Sequence, residues 1–76
     1  MTPTARQRRV AALRLLAVTG EYGLPTAQFA EIIPAYPEAT IRALVTDGLI
    51  ARQPRLVVTP KGTQLLADIA RQEARR

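Results

Sequence analysis

The chain contains no cysteine, histidine, serine or asparagine. Without Cys or His the usual ligands of zinc and haem are missing. Covalent catalysis would fall to Thr, Tyr, the single lysine Lys61 or a carboxylate, with no His base to activate it. The expectation is a protein that is not an enzyme and calls for no metal or cofactor. No run of about 18 apolar residues is present, so no segment is expected to cross a membrane. The opening residues Met1-Thr2-Pro3-Thr4-Ala5-Arg6 lead to Arg8-Arg9, and the apolar run from Val10 is broken by Arg14. A secretory leader needs a cleaner apolar stretch and a small-residue cleavage site. These features predict a cytoplasmic protein.

Seventy-six residues are expected to make one domain, numbered 1–76, in which roughly 60% of the unfolded chain's surface becomes buried. A core of that size is simple and leaves a role for a partner subunit. The hydrophobic fraction of 47% argues against disorder. The net charge is +5, and ten of the eleven basic residues are arginine. A basic small domain points first to nucleic acid, with plain solubility as the alternative. The arginines cluster: Arg6, Arg8, Arg9 and Arg14 early, Arg52 and Arg55 with Lys61 in the middle, Arg71, Arg75 and Arg76 at the end.

Hydrophobic spacing predicts the elements. Residues 4–18 read as a first helix, with Thr2 as cap and Pro3 in a first turn that needs no N–H. Val10, Leu13, Leu16 and Ala17 form one stripe; Ala11, Leu15 and Val18 form a second, nearly opposite. Gly20 to Gly23 is a turn, with Gly20 as C-cap. A short second helix starts at Leu24-Pro25-Thr26, points Phe29, Ala30 and Ile33 to one face, and is stopped by Pro34. Pro37 opens a third helix with Ile41 and Leu44 inward, ended by Gly48. The period then changes to two strand-like runs, Leu49-Ile50-Ala51-Arg52 and Leu56-Val57-Val58-Thr59, separated by Gln53-Pro54-Arg55. Leu56 and Val58 share one face of this hairpin and Val57 takes the other. Thr59 caps a fourth helix with Pro60 at its first position, and Gly62, Leu65, Leu66 and Ile69 form the inner stripe. A glycine inside that helix predicts close approach of another backbone. Two short helices joined around Pro34-Ala35-Tyr36 have helix-turn-helix geometry.

Three segments carry a family resemblance. Leu24-Pro25-Thr26-Ala27-Gln28-Phe29-Ala30-Glu31 resembles the second helix of winged helix-turn-helix regulators of bacteria and phages. Leu44-Val45-Thr46-Asp47-Gly48-Leu49-Ile50-Ala51-Arg52 resembles the end of their recognition helix and the first wing strand. Val58-Thr59-Pro60-Lys61-Gly62 is similar to the last wing strand and following helix of the MarR-like and PadR-like groups. Together they span residues 24–66. The resemblance implies a mainly α fold with a small β-hairpin, in the order α-α-α-β-β-α. The helix-turn-helix would lie at about 25–47, the wing at about 49–59 and the last helix at about 60–73. It also implies sequence-specific DNA binding as a repressor or activator, commonly as a dimer. The third helix would enter the major groove, with the wing beside the backbone or minor groove.

The chain departs from that pattern in its reading helix, which is plain and alanine-rich. Its outward candidates are Ala39, Thr40, Arg42, Ala43 and Thr46, with Tyr36 at the entrance. Arg42 can pair with guanine, and Ala39 and Ala43 can touch thymine methyls. Glu38 would repel phosphate, although it can accept from a cytosine amino group. Arg52 and Arg55 suit phosphate contact, and Thr26 sits at the start of the second helix. Arg6, Arg8 and Arg9 sit where a helix dipole disfavours positive charge, which makes a functional role a fair alternative to an exposed helix start. Arg42 reads equally as a solvated helix residue, and Tyr36 as a turn-packing aromatic. Ala11, Leu15 and Val18 are either core or a dimer seam. Glu31, Asp47 and Asp68 read as surface charges. Two functions remain open: a DNA-binding transcriptional regulator acting as a homodimer on double-stranded DNA, or a winged-helix module that binds a protein partner.

Overall fold

The computed structural model describes residues 4–52 and 55–75. The first helix, α1, runs Ala5–Thr19. Its cap is Thr4, not Thr2, which with Pro3 lies outside the described residues. Gln7 decides this. The Gln7 N–H donates to Thr4 Oγ1 at 3.1 Å, and the Thr4 N–H donates to Gln7 Oε1 at 2.8 Å. Such a reciprocal box needs a polar side chain three residues after the cap. Thr2 would find Ala5 there.

Only one face of α1 is buried, carrying Ala12, Leu13 and Leu16. The second stripe, a candidate for core, is not buried as a whole. Leu15 packs partly against the core, whereas Ala11 is exposed and Val18 is 86% exposed. Ala17, expected inward, is also exposed. A 3-10 turn at Gly20–Tyr22 follows.

Leu24 was expected to begin the second helix, but it is extended. The Leu24 and Leu56 amides each donate to the other residue's carbonyl at 2.9 Å, an antiparallel bridge. Pro25 explains the difference, since a residue before proline is pushed towards the β region. Gly23 makes room. At φ +73°, an added Cβ would meet Val57 Cγ1 at 2.8 Å and Arg55 Cβ at 2.9 Å. Helix α2 therefore spans Thr26–Ile32, with Phe29 fully buried.

Helix α3 spans Pro37–Thr46, with Pro37 in its first turn. Its end is a complete Schellman arrangement. Gly48 has φ +74°; its N–H donates to Val45 O at 3.0 Å, and the Leu49 N–H donates to Leu44 O at 2.9 Å. Leu44 and Leu49, the apolar pair that accompanies this motif, are both buried. The hairpin follows as β1 (Ile50–Ala51) and β2 (Val57–Val58), in register Ile50↔Val58 and Ala51↔Val57. These strands are shorter than the four-residue runs expected. The separating residues Gln53 and Pro54 lie outside the described residues. Leu56 is fully buried, and Val57 and Val58 are half-buried.

Helix α4 spans Pro60–Ala74. Thr59 Oγ1 accepts from the Gly62 N–H at 3.2 Å and donates to Gly48 O at 2.6 Å. One hydroxyl thus caps α4 and ties it to the end of α3. The expected close approach at Gly62 is present, since an added Cβ would lie 2.2 Å from Leu49 O. Leu65 and Leu66 pack half-buried on a core built from α1, α2, α3 and the base of the hairpin. The architecture is mainly helical with a two-stranded antiparallel hairpin. Among the described residues, no helix is long and apolar enough to cross a membrane.

Candidate nucleic-acid interface

Helix α3 is anchored by Ile41 and Leu44, both fully buried, so its opposite face is fixed outward. Ala39, Arg42, Ala43, Thr46 and Asp47 line a shallow open depression there. Arg42 is exposed and forms no ion pair among the described residues. The alanines on either side leave the helix backbone accessible to a flat or convex partner. Thr40 does not belong to this surface. It is 4% exposed, and its hydroxyl donates to Tyr36 O at 2.9 Å. That bond satisfies the hydroxyl inside the fold, so Thr40 joins Ile41 and Leu44 on the inner side.

The N-terminal end of α3 gathers residues from three elements. Tyr36 precedes the helix in the left-handed region, φ +51°, and is 66% exposed. For a non-glycine residue this conformation costs of order 1–3 kcal/mol, so the surroundings must impose it. The Arg8 guanidinium of α1 lies over the Tyr36 ring, 4.9 Å from its centroid, a cation–π contact worth roughly 0.5–1 kcal/mol at an exposed position. Two residues on, Arg52 from the end of β1 donates through Nη2 to Glu38 Oε1 at 2.7 Å. Both side chains are about half exposed, at 42% and 53%, so the pair contributes no more than roughly 0.2–1 kcal/mol. Glu38 therefore does not face outward alone. Its charge is matched by a residue expected to contact phosphate.

The early arginines are not one cluster. Arg8 reaches Tyr36, while Arg6 and Arg9 line a groove with Leu65 and Ile69 of α4 and with Asp47, beyond the other end of α3. Arg14 pairs with Glu73 at 2.8 Å, bridging α1 and α4, and Arg71 pairs with Asp68 within α4. Arg55 is exposed beside Gly23 and, like Arg6, Arg9 and Lys61, forms no ion pair among the described residues. Thr26 is the half-buried first residue of α2. Arg76 lies outside the described residues.

The Ala11, Leu15 and Val18 stripe is solvent-facing at two of its three positions. Tyr22, which the sequence did not single out, is 81% exposed just beyond the end of α1. Exposed apolar groups at Val18 and Tyr22 are therefore found at the same end of that helix. No protein-family profile matches this chain, and no curated protein or solved structure is significantly similar to it.

The contacts of Arg8 with Tyr36 and of Glu38 with Arg52 were among those the sequence did not reveal. The opposite signs of Glu38 and Arg52 were visible, but their pairing depends on the reversal at Gly48. Nothing in the local pattern marked Arg8 as different from Arg6 or Arg9.

Proposed function

We propose that the protein is a winged helix-turn-helix DNA-binding regulator. In this reading α3 lies in the major groove and the 52–56 hairpin acts as the wing. The observation that carries it is Arg42, exposed, without an ion pair among the described residues, and centred on the outward face of a core-anchored helix. A guanidinium there can bond guanine O6 and N7, while Ala39 and Ala43 let the helix approach and can meet thymine methyls. Arg55 supplies a phosphate contact from the hairpin, and Arg8 with Tyr36 flanks the entrance to α3. Resemblance of the 24–66 segments to MarR-like and PadR-like regulators supports the same reading. The protein would act in the cytoplasm as a homodimer joined through its first and last helices, with Ala11, Leu15 and Val18 in the seam, matched to a two-fold symmetric site.

The direct test is a mobility-shift assay with duplexes taken from beside the protein's own gene, repeated across salt. Binding that weakens steeply with salt is expected, with a slope near 0.9 per phosphate neutralised. A second reading, a winged-helix module that binds protein, draws on the plain, alanine-rich outer face of α3 at Ala39 and Ala43. Absence of DNA binding at any salt, with the fold intact, would put that reading first.

A further inference from the structure

We propose that Glu38 is a specificity-determining residue that works by competing with DNA phosphate for Arg52. The inference rests on the DNA-binding reading above. Its basis is the ion pair at 2.7 Å between the end of β1 and the first turn of α3. Glu38 contacts Arg52 through a single oxygen and a single guanidinium nitrogen. Both partners are about half exposed, at 53% and 42%, so neither is locked in place and each remains within reach of a ligand.

Arg52 follows β1 and Glu38 stands in the first turn of α3, the part of a reading helix that meets base edges. On a random duplex, turning the whole guanidinium fork of Arg52 to a phosphate takes it away from Glu38. The freed carboxylate would then face the negative backbone with no partner. The gain from one phosphate contact is offset by the broken pair and by repulsion. On a site that places a cytosine amino group opposite the start of α3, Glu38 accepts from cytosine N4. Arg52 is then released to phosphate, and both groups are satisfied. Discrimination arises from what the wrong sequence leaves unpaired as well as from what the right one bonds.

The experiment uses the full chain and four proteins: wild type, Glu38→Gln, Arg52→Ala and the double variant. Binding to a random-sequence duplex is followed across salt. Glu38→Gln is expected to bind random DNA more tightly than wild type and to steepen the salt slope by about 0.9, one additional phosphate contact. In the Arg52→Ala background the same substitution should leave the slope unchanged, because no masked arginine remains to be released. In a selection from random duplexes, wild type should enrich a cytosine at one fixed position, and Glu38→Gln should lose that preference. A slope unchanged by Glu38→Gln overturns the proposal, as does steepening that persists without Arg52. Selected sites with no cytosine preference overturn it too. Failure of the wild type to bind any duplex instead overturns the DNA-binding reading itself, and the two failures are distinct.

Discussion

The Arg52 guanidinium stands 2.7 Å from a Glu38 carboxylate oxygen and joins the end of β1 to the first turn of α3. The two residues lie on either side of the Gly48 reversal, so their pairing reports how the hairpin folds back along the helix. Energetically it is a modest contact of an exposed kind. Its importance is positional. It sets the Arg52 cation against an acid in the first turn of the helix proposed to read DNA.

Gly62→Ala should destabilise the fold, although alanine is intrinsically better than glycine in a helix by about 1 kcal/mol. An added methyl at 2.2 Å from Leu49 O forces α4 away from the α3–β1 junction. The expected net loss is about 1–3 kcal/mol, typical of overpacking at a tight contact. Urea denaturation checks it; a gain in stability would show that the contact yields freely.

Thr59→Val keeps the side-chain shape and removes the hydroxyl. It deletes the α4 cap at Gly62 N and the bond to Gly48 O together. A loss of about 1–3 kcal/mol is expected, against less than about 0.5 kcal/mol for Thr63→Val on the exposed side of the same helix. Equal effects from the two variants would remove Thr59 as the link between α3 and α4.

Arg42→Ala and Arg55→Ala should divide cleanly in DNA binding. The first is expected to cost about 1–3 kcal/mol on a specific site and relax its sequence preference. The second should weaken binding to all sequences and lower the salt slope by about 1, since a phosphate contact carries no sequence information. Both residues are exposed, so stability should shift by less than about 0.5 kcal/mol in either case. If both leave binding intact, α3 is not a reading helix.

Val18→Glu tests the proposed homodimer. Val18 is 86% exposed and Tyr22 81%, so an isolated chain leaves both apolar groups in water. Light scattering at high concentration should give a dimer mass for the wild type and a monomer mass for the variant, with unchanged monomer stability. A wild-type monomer mass under those conditions would remove α1 as a seam.

The sequence by itself determined the order of elements and most of their ends, because these depend on local chemistry. Pro37 and Pro60 start helices with a fixed φ, Gly48 supplies the left-handed turn, and Thr59 presents its hydroxyl to the next helix. Gly62 was legible for a similar reason, since a glycine inside a helix signals contact with something beyond that helix. Tertiary structure decided which polar residues stay outside. Thr40 was among the DNA-facing candidates, but the Tyr36 carbonyl satisfies its hydroxyl and permits burial. Leu24 looked like a helix start, but its backbone pairs with Leu56, more than thirty residues away in the chain. Ala11 and Val18 had helical spacing suited to a core, yet spacing shows only that residues share a face and leaves open what covers it. The meetings of Arg8 with Tyr36 and of Glu38 with Arg52 likewise belong to packing. Local sequence sets the direction of each helix and turn, and only their assembly brings distant charges and rings within bonding distance.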